Sequence, residues 1–222
     1  MSEALVELLR GIVDYAGLFP PASLDLTSAV RNYDAYRRGP RAWVLGRFVV
    51  PASRAGEVPA DFPLSTIAPD KSREHAGEVE YIEIPVTADP AGMSARAKIR
   101  TGGLTADAYP SAEALAGFLH RAAAARVPFK ATAGLHHPLP APPMHGFVNV
   151  FLAAGLVWHG AGSSDALATL RETAFRFGAD AEWGAYRLTA EQIRAARAEF
   201  AIGFGSCSFE EPIADLEALG WL

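Results

Sequence analysis

Hydrophobic and polar residues alternate in several short segments, and longer segments with a helical hydrophobic spacing separate them. The alternating or continuously apolar segments predict strands at 12–17, 42–51, 64–68, 79–86, 95–103, 127–134, 145–153 and 200–208. The helical spacing, together with capping residues, predicts helices at 1–10, from Ser23 or Asp25 to about Arg38, at 110–126, 164–177 and 189–199, and from Glu210 onward.

Strands that alternate with helices predict a parallel sheet built from crossover units. Eight strands in 222 residues indicate an α/β fold, a compact, irregular (β/α) TIM-like barrel with several short or missing helices. Helices are expected to be missing because the connections 52–63, 69–78 and 134–145 are too short or too rich in proline. The alternative is an open doubly wound parallel sheet, although its GxGxxG turn is absent. Either way, residues 1–222 are predicted to form one domain.

Side chains along each strand point to two faces in turn, and one face of nearly every strand is apolar. In strand 127–134, Phe129 and Ala131 share one face, whereas Lys130 and Thr132 share the other. The same division of the other strands gives a further set of polar residues: Arg47, Glu83, Lys98, Arg100 and Asn149. In a barrel the apolar face meets the helices and the polar residues converge inside. The competing interpretation is an antiparallel sheet whose charged face is exposed to solvent.

The converging residues include four cations but only one glutamate. Burying unpaired cations is costly, so the excess positive charge predicts an anionic ligand, a phosphate or a carboxylate, at the carboxyl ends of the strands. The turns RTGG and ATAG supply small residues that let backbone amides approach an anion. The predicted substrate-binding residues are Arg47, Lys98, Arg100, Thr132, Asn149, Gly102 and Gly103.

Lys130 is the first candidate catalytic residue. A partly buried lysine among other cations has its ammonium form disfavoured, which predicts an amine that forms a Schiff base with a carbonyl compound. An anion-binding cation and a structural ion-pair partner are the alternatives for the same side chain. His136 and His137 directly follow the strand of Lys130 and are predicted to act as general acid or base, with Glu83 as a further catalytic residue.

A metal site is an open alternative, in which one or two of His136, His137 and His145 bind the ion with Glu83 or Glu210. The spacing matches no zinc motif, since HExxH is absent, and neither a metal nor a cofactor is predicted. Asp14, at the mouth of the first strand, either supplies an acid or caps the following turn.

The segment KATAG, residues 130–134, resembles the Lys-x-Thr-x-Gly strand end that carries the Schiff-base lysine of deoxyribose-phosphate aldolase and related class I aldolase barrels. The resemblance implies a lyase that acts on a small, often phosphorylated, carbonyl compound. The family's second lysine and acidic partners are not matched in chain order, since Lys98 precedes Lys130. AGLFPPAS, KIRTGG and FGSCSFEEP also have the look of signatures of a bacterial barrel family.

Composition and charge exclude several classes of protein. The net charge of −5 and the pI near 5.7 disfavour a nucleic-acid-binding protein. Cys207 is the single cysteine, so no intrachain disulfide is possible and a reducing cytoplasm is the predicted location. The apolar segment 146–158 is too short for a membrane span.

The predicted protein is therefore an enzyme, a lyase or isomerase that acts on a small anionic carbonyl compound, phosphorylated or carboxylated. A metal-assisted hydrolase that uses the loop histidines is one alternative, and a non-catalytic protein that binds an anionic metabolite is another. The predicted partner is that small anionic metabolite, with no nucleic acid and no membrane, and self-association into a homo-oligomer is left open.

Overall fold

A computed structural model describes residues 2–222 of the chain, so position 1 of the predicted helix 1–10 lies outside it. The helices are α1 (Glu3–Leu9), α2 (Leu26–Arg38), α3 (Ala112–Ala124), α4 (Phe147–Trp158), α5 (Ser163–Leu170), α6 (Ala190–Glu199) and α7 (Glu210–Ala218). The strands are β1 (Val13–Tyr15), β2 (Leu45–Pro51), β3 (Leu64–Ile67), β4 (Arg73–Ala76), β5 (Val79–Ile84), β6 (Arg96–Arg100), β7 (Phe129–Thr132), β8 (Arg176–Phe177), β9 (Asp180–Trp183), β10 (Tyr186–Thr189) and β11 (Ala201–Ser206).

Eight of the strands close into a barrel in the order β1-β11-β7-β6-β5-β4-β3-β2. All neighbours are parallel except those of β4, which runs antiparallel to both β3 and β5. The prediction of a compact TIM-like α/β barrel is confirmed, and the alternative of an open doubly wound sheet is wrong. The connection 69–78 contains no helix because the antiparallel strand β4 leads the chain directly from β3 to β5.

Seven of the eight predicted strands overlap barrel strands, but the strand predicted at 145–153 is wrong. The segment forms α4, whose residues Phe147 to Val157 are all buried. A helix that is apolar on every side has no periodic polar face, so its sequence cannot be distinguished from a buried strand. The eighth barrel strand is β4, in a segment that the sequence analysis assigned to a connection.

The predicted helix 164–177 is too long. α5 ends at Leu170, and residues 176–189 form a separate antiparallel sheet in the order β10-β9-β8. Gly184, with a φ of +50°, makes the turn between β9 and β10. These strands are only two to four residues long, too short for an alternating pattern to be distinguished from chance.

The main core lies between the barrel and its helices. Phe129, on β7, packs against Phe118 of α3, Phe151 of α4 and Phe200 beside α6, with ring centroids 5.1 to 6.5 Å apart. The apolar face of β7 therefore points outward, as predicted, and its other face points into the barrel. The competing interpretation, an antiparallel sheet with a solvent-exposed charged face, is wrong, because β5, β6 and β7 are parallel and Lys98 and Lys130 are each only 3% exposed.

Arg197, on α6, closes the end of the barrel at which β1 and β11 begin. Its guanidinium donates hydrogen bonds to the backbone oxygens of Leu8, Arg10, Ala201 and Ile202, at 2.5 to 3.0 Å. Burial lowers the pKa of Arg197 to about 10, so the side chain remains a cation at neutral pH. One long side chain thus satisfies carbonyl groups at the end of α1 and at the start of β11.

We expect Arg197→Met to lower the free energy of unfolding by about 2 kcal/mol, because backbone oxygens at this end of the barrel lose their donor. Arg194→Met is the matched control, since Arg194 is exposed on the same helix and its replacement should change stability by less than about 0.5 kcal/mol. Urea unfolding followed by circular dichroism measures both. Equal stability of the two variants would show that the guanidinium contributes nothing at this position.

Candidate active site

A cavity of about 580 Å³ opens at the carboxyl ends of the parallel strands. This is within the range of small-molecule sites, and it is the end at which barrel enzymes place their catalytic residues. Most of the residues predicted for the site line this cavity: Lys130, His136, His137, Glu83, Lys98, Arg100, Thr132 and Gly103.

Six side chains of alternating charge form a continuous row across the barrel interior, and we call them the ion row. In spatial order they are Asp14, Lys130, Glu74, Lys98, Glu83 and Arg100. Each member lies between 2.5 and 3.5 Å from the next. Opposite charges at such distances are mutually stabilising, and most of the row is shielded from water.

Strand register places the two lysines side by side. Lys98 and Lys130 are directly paired on β6 and β7, and Glu83 is paired with Lys98 on β5. Glu74 reaches the same depth from β4, where it accepts a hydrogen bond of 2.5 Å from Ser65 of β3. Four neighbouring strands, β4 to β7, therefore bring their inward charges together.

Lys130 lies between two carboxylates. Its Nζ donates hydrogen bonds to Asp14 Oδ2 at 2.6 Å and to Glu74 Oε1 at 2.5 Å. Asp14 is held in place by the backbone N–H of Arg47, which donates to its Oδ1 at 2.7 Å. Asp14 is thus an acid inside the barrel and not a cap for the following turn.

The excess positive charge inferred from the sequence is wrong. Asp14 and Glu74 join Glu83, so three carboxylates face three cations in the ion row. Glu74 is not among the predicted site residues because the sequence predicts a connection at 69–78. Asp14 has two predicted roles because β1, with only three residues, is too short to show which side of the strand faces the interior. In the structure Glu74 pairs with Tyr81 across β4 and β5, a register that the sequence does not show.

The ion row also fixes the charge states of its buried members. Burial favours the neutral amine of Lys130, but the attraction of Asp14 and Glu74 outweighs burial and raises the pKa of Lys130 above its ordinary value. Burial likewise favours the neutral acid of Glu74, but Lys130 and Lys98 outweigh it and lower the pKa of Glu74. The expectation that neighbouring cations make Lys130 a neutral amine is therefore wrong for the resting protein.

Two groups of the ion row have hydrogen-bonding capacity that no described residue uses. An ammonium group has three N–H donors, and the carboxylates occupy two of those on Lys130. Glu83 Oε2 lies 3.1 Å from Lys98 Nζ but accepts no aligned hydrogen bond among the described residues. An ammonium donor and a carboxylate acceptor thus each lack one partner, and both belong to residues that line the cavity.

His136 and His137 are each oriented by a carboxylate of α7. His136 Nδ1 lies 2.9 Å from Glu211 Oε2, and His137 Nδ1 lies 2.6 Å from Asp215 Oδ2. A carboxylate at Nδ1 favours the tautomer with the proton on that atom, which leaves Nε2 to accept a proton or a hydrogen bond. Both rings line the mouth of the cavity.

Three residues predicted to bind substrate lie elsewhere. Arg47 is directed to a neighbouring strand, where its Nη1 donates to the backbone oxygen of Leu64 at 3.3 Å. Asn149 is fully buried on α4, and its Nδ2 donates to the backbone oxygens of Thr169 and Glu172 at 2.7 Å. Placing Asn149 in the site was wrong because it depended on the mistaken strand 145–153. His145 is also turned away, with Nε2 2.7 Å from Pro110 O.

Gly102 is the third predicted substrate-binding residue that lies outside the cavity lining, and it allows two turns to pack closely together. A Cβ on Gly102 would lie 2.7 Å from the Cα of Gly134, so each glycine allows the close approach of the other. Thr101 Oγ1 also donates to Ala133 O at 2.5 Å, and Ala133 has a φ of +58°. The turns RTGG and ATAG are therefore joined at the rim, where Gly103 contributes to the cavity lining.

Comparison with protein-family models, with curated proteins and with solved structures finds no match to this chain. Within residues 2–222, no three His, Cys, Asp or Glu side chains converge in a way that could hold a metal ion. No helix in that range is both long and apolar enough to cross a bilayer. The resemblance of KATAG to the aldolase strand end stays a prediction.

Proposed function

We propose that this protein is a lyase or isomerase that acts on a small anionic carbonyl compound at the ion row. The observation that carries the proposal is the buried row of alternating charges, open to a cavity at the carboxyl ends of the strands. Within it, the ammonium group of Lys130 has a remaining N–H donor and Glu83 Oε2 accepts no hydrogen bond.

Stability alone does not account for the ion row. Buried ion pairs are expensive to desolvate, and apolar side chains of similar volume are often at least as stabilising. Barrel interiors are commonly filled with branched apolar residues. Here Glu74, Lys98 and Lys130 are each 2 to 3% exposed, and clusters of ionisable groups in a cleft are typical of functional sites.

The proposed chemistry is proton transfer next to a carbonyl group. Glu83 takes a proton from the carbon beside the carbonyl, the electron pair of that C–H bond forms a C=C bond, and the π electron pair of the carbonyl group moves to its oxygen. Lys130, as an ammonium group, donates a hydrogen bond to the resulting enolate oxygen and stabilises its charge. In an isomerase the substrate carries a hydroxyl group on that carbon: the hydroxyl proton moves to the enolate oxygen, and the proton on Glu83 returns to the former carbonyl carbon, so the carbonyl group shifts by one carbon. In a lyase the base removes the proton of a β-hydroxyl group instead, the Cα–Cβ bond breaks with its electron pair forming the enolate, and the β-carbon leaves as an aldehyde.

Other residues of the cavity have supporting roles. Arg100 is half exposed at the mouth, and Glu83 Oε1 contacts only its Nε, at 3.2 Å. Its remaining N–H groups fit the negatively charged group of the substrate. Nε2 of His136 or His137 is placed to exchange protons at the outer end of the substrate.

A Schiff base at Lys130 is a second route to the same products, favoured by one observation. Asp14 Oδ2 and Glu74 Oε1 both contact Nζ, so an acceptor is in place for the proton that the amine must lose before it attacks a carbonyl carbon. The raised pKa of Lys130 makes this loss costly in the resting protein. The ammonium route therefore has the stronger support.

Hydrogen exchange in D₂O tests the proposal without knowledge of the product. We expect the protein to replace the protons beside the carbonyl group of at least one compound in a panel of carboxylated and phosphorylated carbonyl compounds, followed by proton NMR. Glu83→Gln should slow this exchange about 100-fold, because the variant lacks the base.

The matched control is Glu80→Gln, which alters a glutamate on the same strand, β5, that pairs with Arg73 at the surface. Its exchange rate should equal that of the unmodified protein. Binding of panel compounds without any exchange would favour the non-catalytic alternative and would refute the proposed proton transfer.

A further inference from the structure

The order of the strands divides the mouth of the barrel into two halves. The inward charges that line the cavity come from four consecutive strands, β7, β6, β5 and β4. The next strands around the barrel are β3, β2 and β1, and they present Ile67, Val49 and the loop Phe19-Pro20-Pro21 to the same cavity. A ligand in the cavity therefore meets a charged wall on one side and an apolar wall on the other.

The apolar wall keeps a small exposed surface that faces the cavity. Val49 and Ile67 are inward residues of barrel strands and are 5% and 8% exposed, with that exposure directed at the cavity. Leu104, in the loop that follows β6, also lines the cavity and is 80% exposed. Apolar surface in a concave site is stabilised when a ligand covers it.

The formal charges of the lysine, arginine, glutamate and aspartate side chains at the cavity cancel. Four cations line it, Lys71, Lys98, Arg100 and Lys130, and they face Glu74, Glu83 and Glu211 together with Asp14, which contacts Lys130 from outside the lining. A phosphate dianion would bring two negative charges to a site with no surplus cation. A single carboxylate adds half as much charge and fits the fork of Arg100.

We infer that the substrate is a monocarboxylate whose reacting carbonyl group meets the ion row and whose apolar substituent covers Val49 and Ile67. This inference deepens the proposed function and rests on it for the reacting carbonyl group. It narrows the anionic substrate from phosphorylated or carboxylated compounds to carboxylates with a hydrocarbon or aromatic tail. The cavity is large enough for such a tail beyond the reacting carbons.

Equilibrium binding of straight-chain 2-oxo acids, from pyruvate to 2-oxooctanoate, tests the inference by isothermal titration calorimetry. We expect the dissociation constant to fall about fourfold for each methylene that reaches the apolar wall. Ribose 5-phosphate is the phosphorylated comparison and should bind more weakly than 2-oxooctanoate by at least about tenfold.

Two variants connect the trend to apolar residues that line the cavity. Ile67→Thr should reduce the gain per methylene, and Leu104→Ser, at an exposed position that cannot unfold the protein, should weaken 2-oxooctanoate about threefold while leaving pyruvate unchanged. Leu219→Ser is the matched control because Leu219 is 41% exposed and does not line the cavity. It should change neither constant.

The outcomes separate this inference from the proposed function. A dissociation constant independent of chain length, tighter binding of the phosphorylated sugar, or no binding of any 2-oxo acid would overturn the inference. Hydrogen exchange with phosphorylated compounds alone would overturn it while supporting the proposed function. Chain-length dependence without hydrogen exchange would support the apolar specificity and refute the proposed proton transfer.

Discussion

Glu74→Gln is expected to lower the free energy of unfolding by about 3–5 kcal/mol, because it leaves two buried ammonium groups without a shared carboxylate. Glu74 contacts Lys130 at 2.5 Å and Lys98 at 3.5 Å, and it is 2% exposed. The amide keeps the shape of the side chain, so the loss measures charge rather than packing. Urea unfolding at neutral pH, followed by circular dichroism, gives the value.

Glu80→Gln again provides the control, since its ion pair with Arg73 is exposed and should contribute less than about 1 kcal/mol. If the two variants were equally stable, the charge of Glu74 would not contribute to the free energy of unfolding.

The stability lost in Glu74→Gln is expected to depend on pH. The lowered pKa of Glu74 contributes stability above the ordinary glutamate value of 4.5, and this stability is lost as the pH falls through the lower folded value. The difference in stability between the unmodified protein and Glu74→Gln should therefore shrink below about pH 4.5. The raised pKa of Lys130 contributes stability below 10.5 that is lost only at higher pH.

Lys130→Met is expected to reduce hydrogen exchange about 1000-fold, because the enolate oxygen loses its charged donor. The variant also leaves Asp14 and Glu74 without a shared cation, so its folding must be verified by circular dichroism. Retention of more than about a tenth of the activity in a folded Lys130→Met variant would contradict a role for this lysine in the reaction.

Lys130→Arg distinguishes the two routes because arginine keeps the positive charge and the N–H donors but cannot form a Schiff base. Measurable exchange in this variant, with no borohydride-trapped adduct on the unmodified protein, supports the ammonium route. Complete loss of exchange together with an adduct at Lys130 supports the Schiff base. Lys71→Arg is the control, since Lys71 is exposed at the rim of the same cavity.

Much of the barrel could be predicted from sequence because alternation is a local property. Phe129 and Ala131 alternate with Lys130 and Thr132, and the structure places these pairs outside and inside the barrel as expected. The same reasoning failed at 145–153, where all residues except His145 and Asn149 are apolar or glycine, so that the segment can be buried in either conformation. It also missed β4, whose four residues REHA alternate too briefly to be recognised.

The candidate site could also be predicted only in part from the sequence. Lys98, Lys130, Glu83 and the histidine pair were predicted to meet, and they do line one cavity. Their charge environment was not predictable, because it depends on Asp14 and Glu74, which lie far from Lys130 along the chain.

The sequence by itself determined that charged residues on successive strands share the interior of an α/β barrel, since side-chain alternation follows from backbone geometry at each strand. Only the tertiary structure decided which charges are neighbours. Closure of the barrel through the antiparallel β4 brings Glu74 between two lysines, and pairing of β1 with β11 brings Asp14 within reach of Lys130. Protonation of a buried amine depends on such distances, and no local pattern in the chain encodes them.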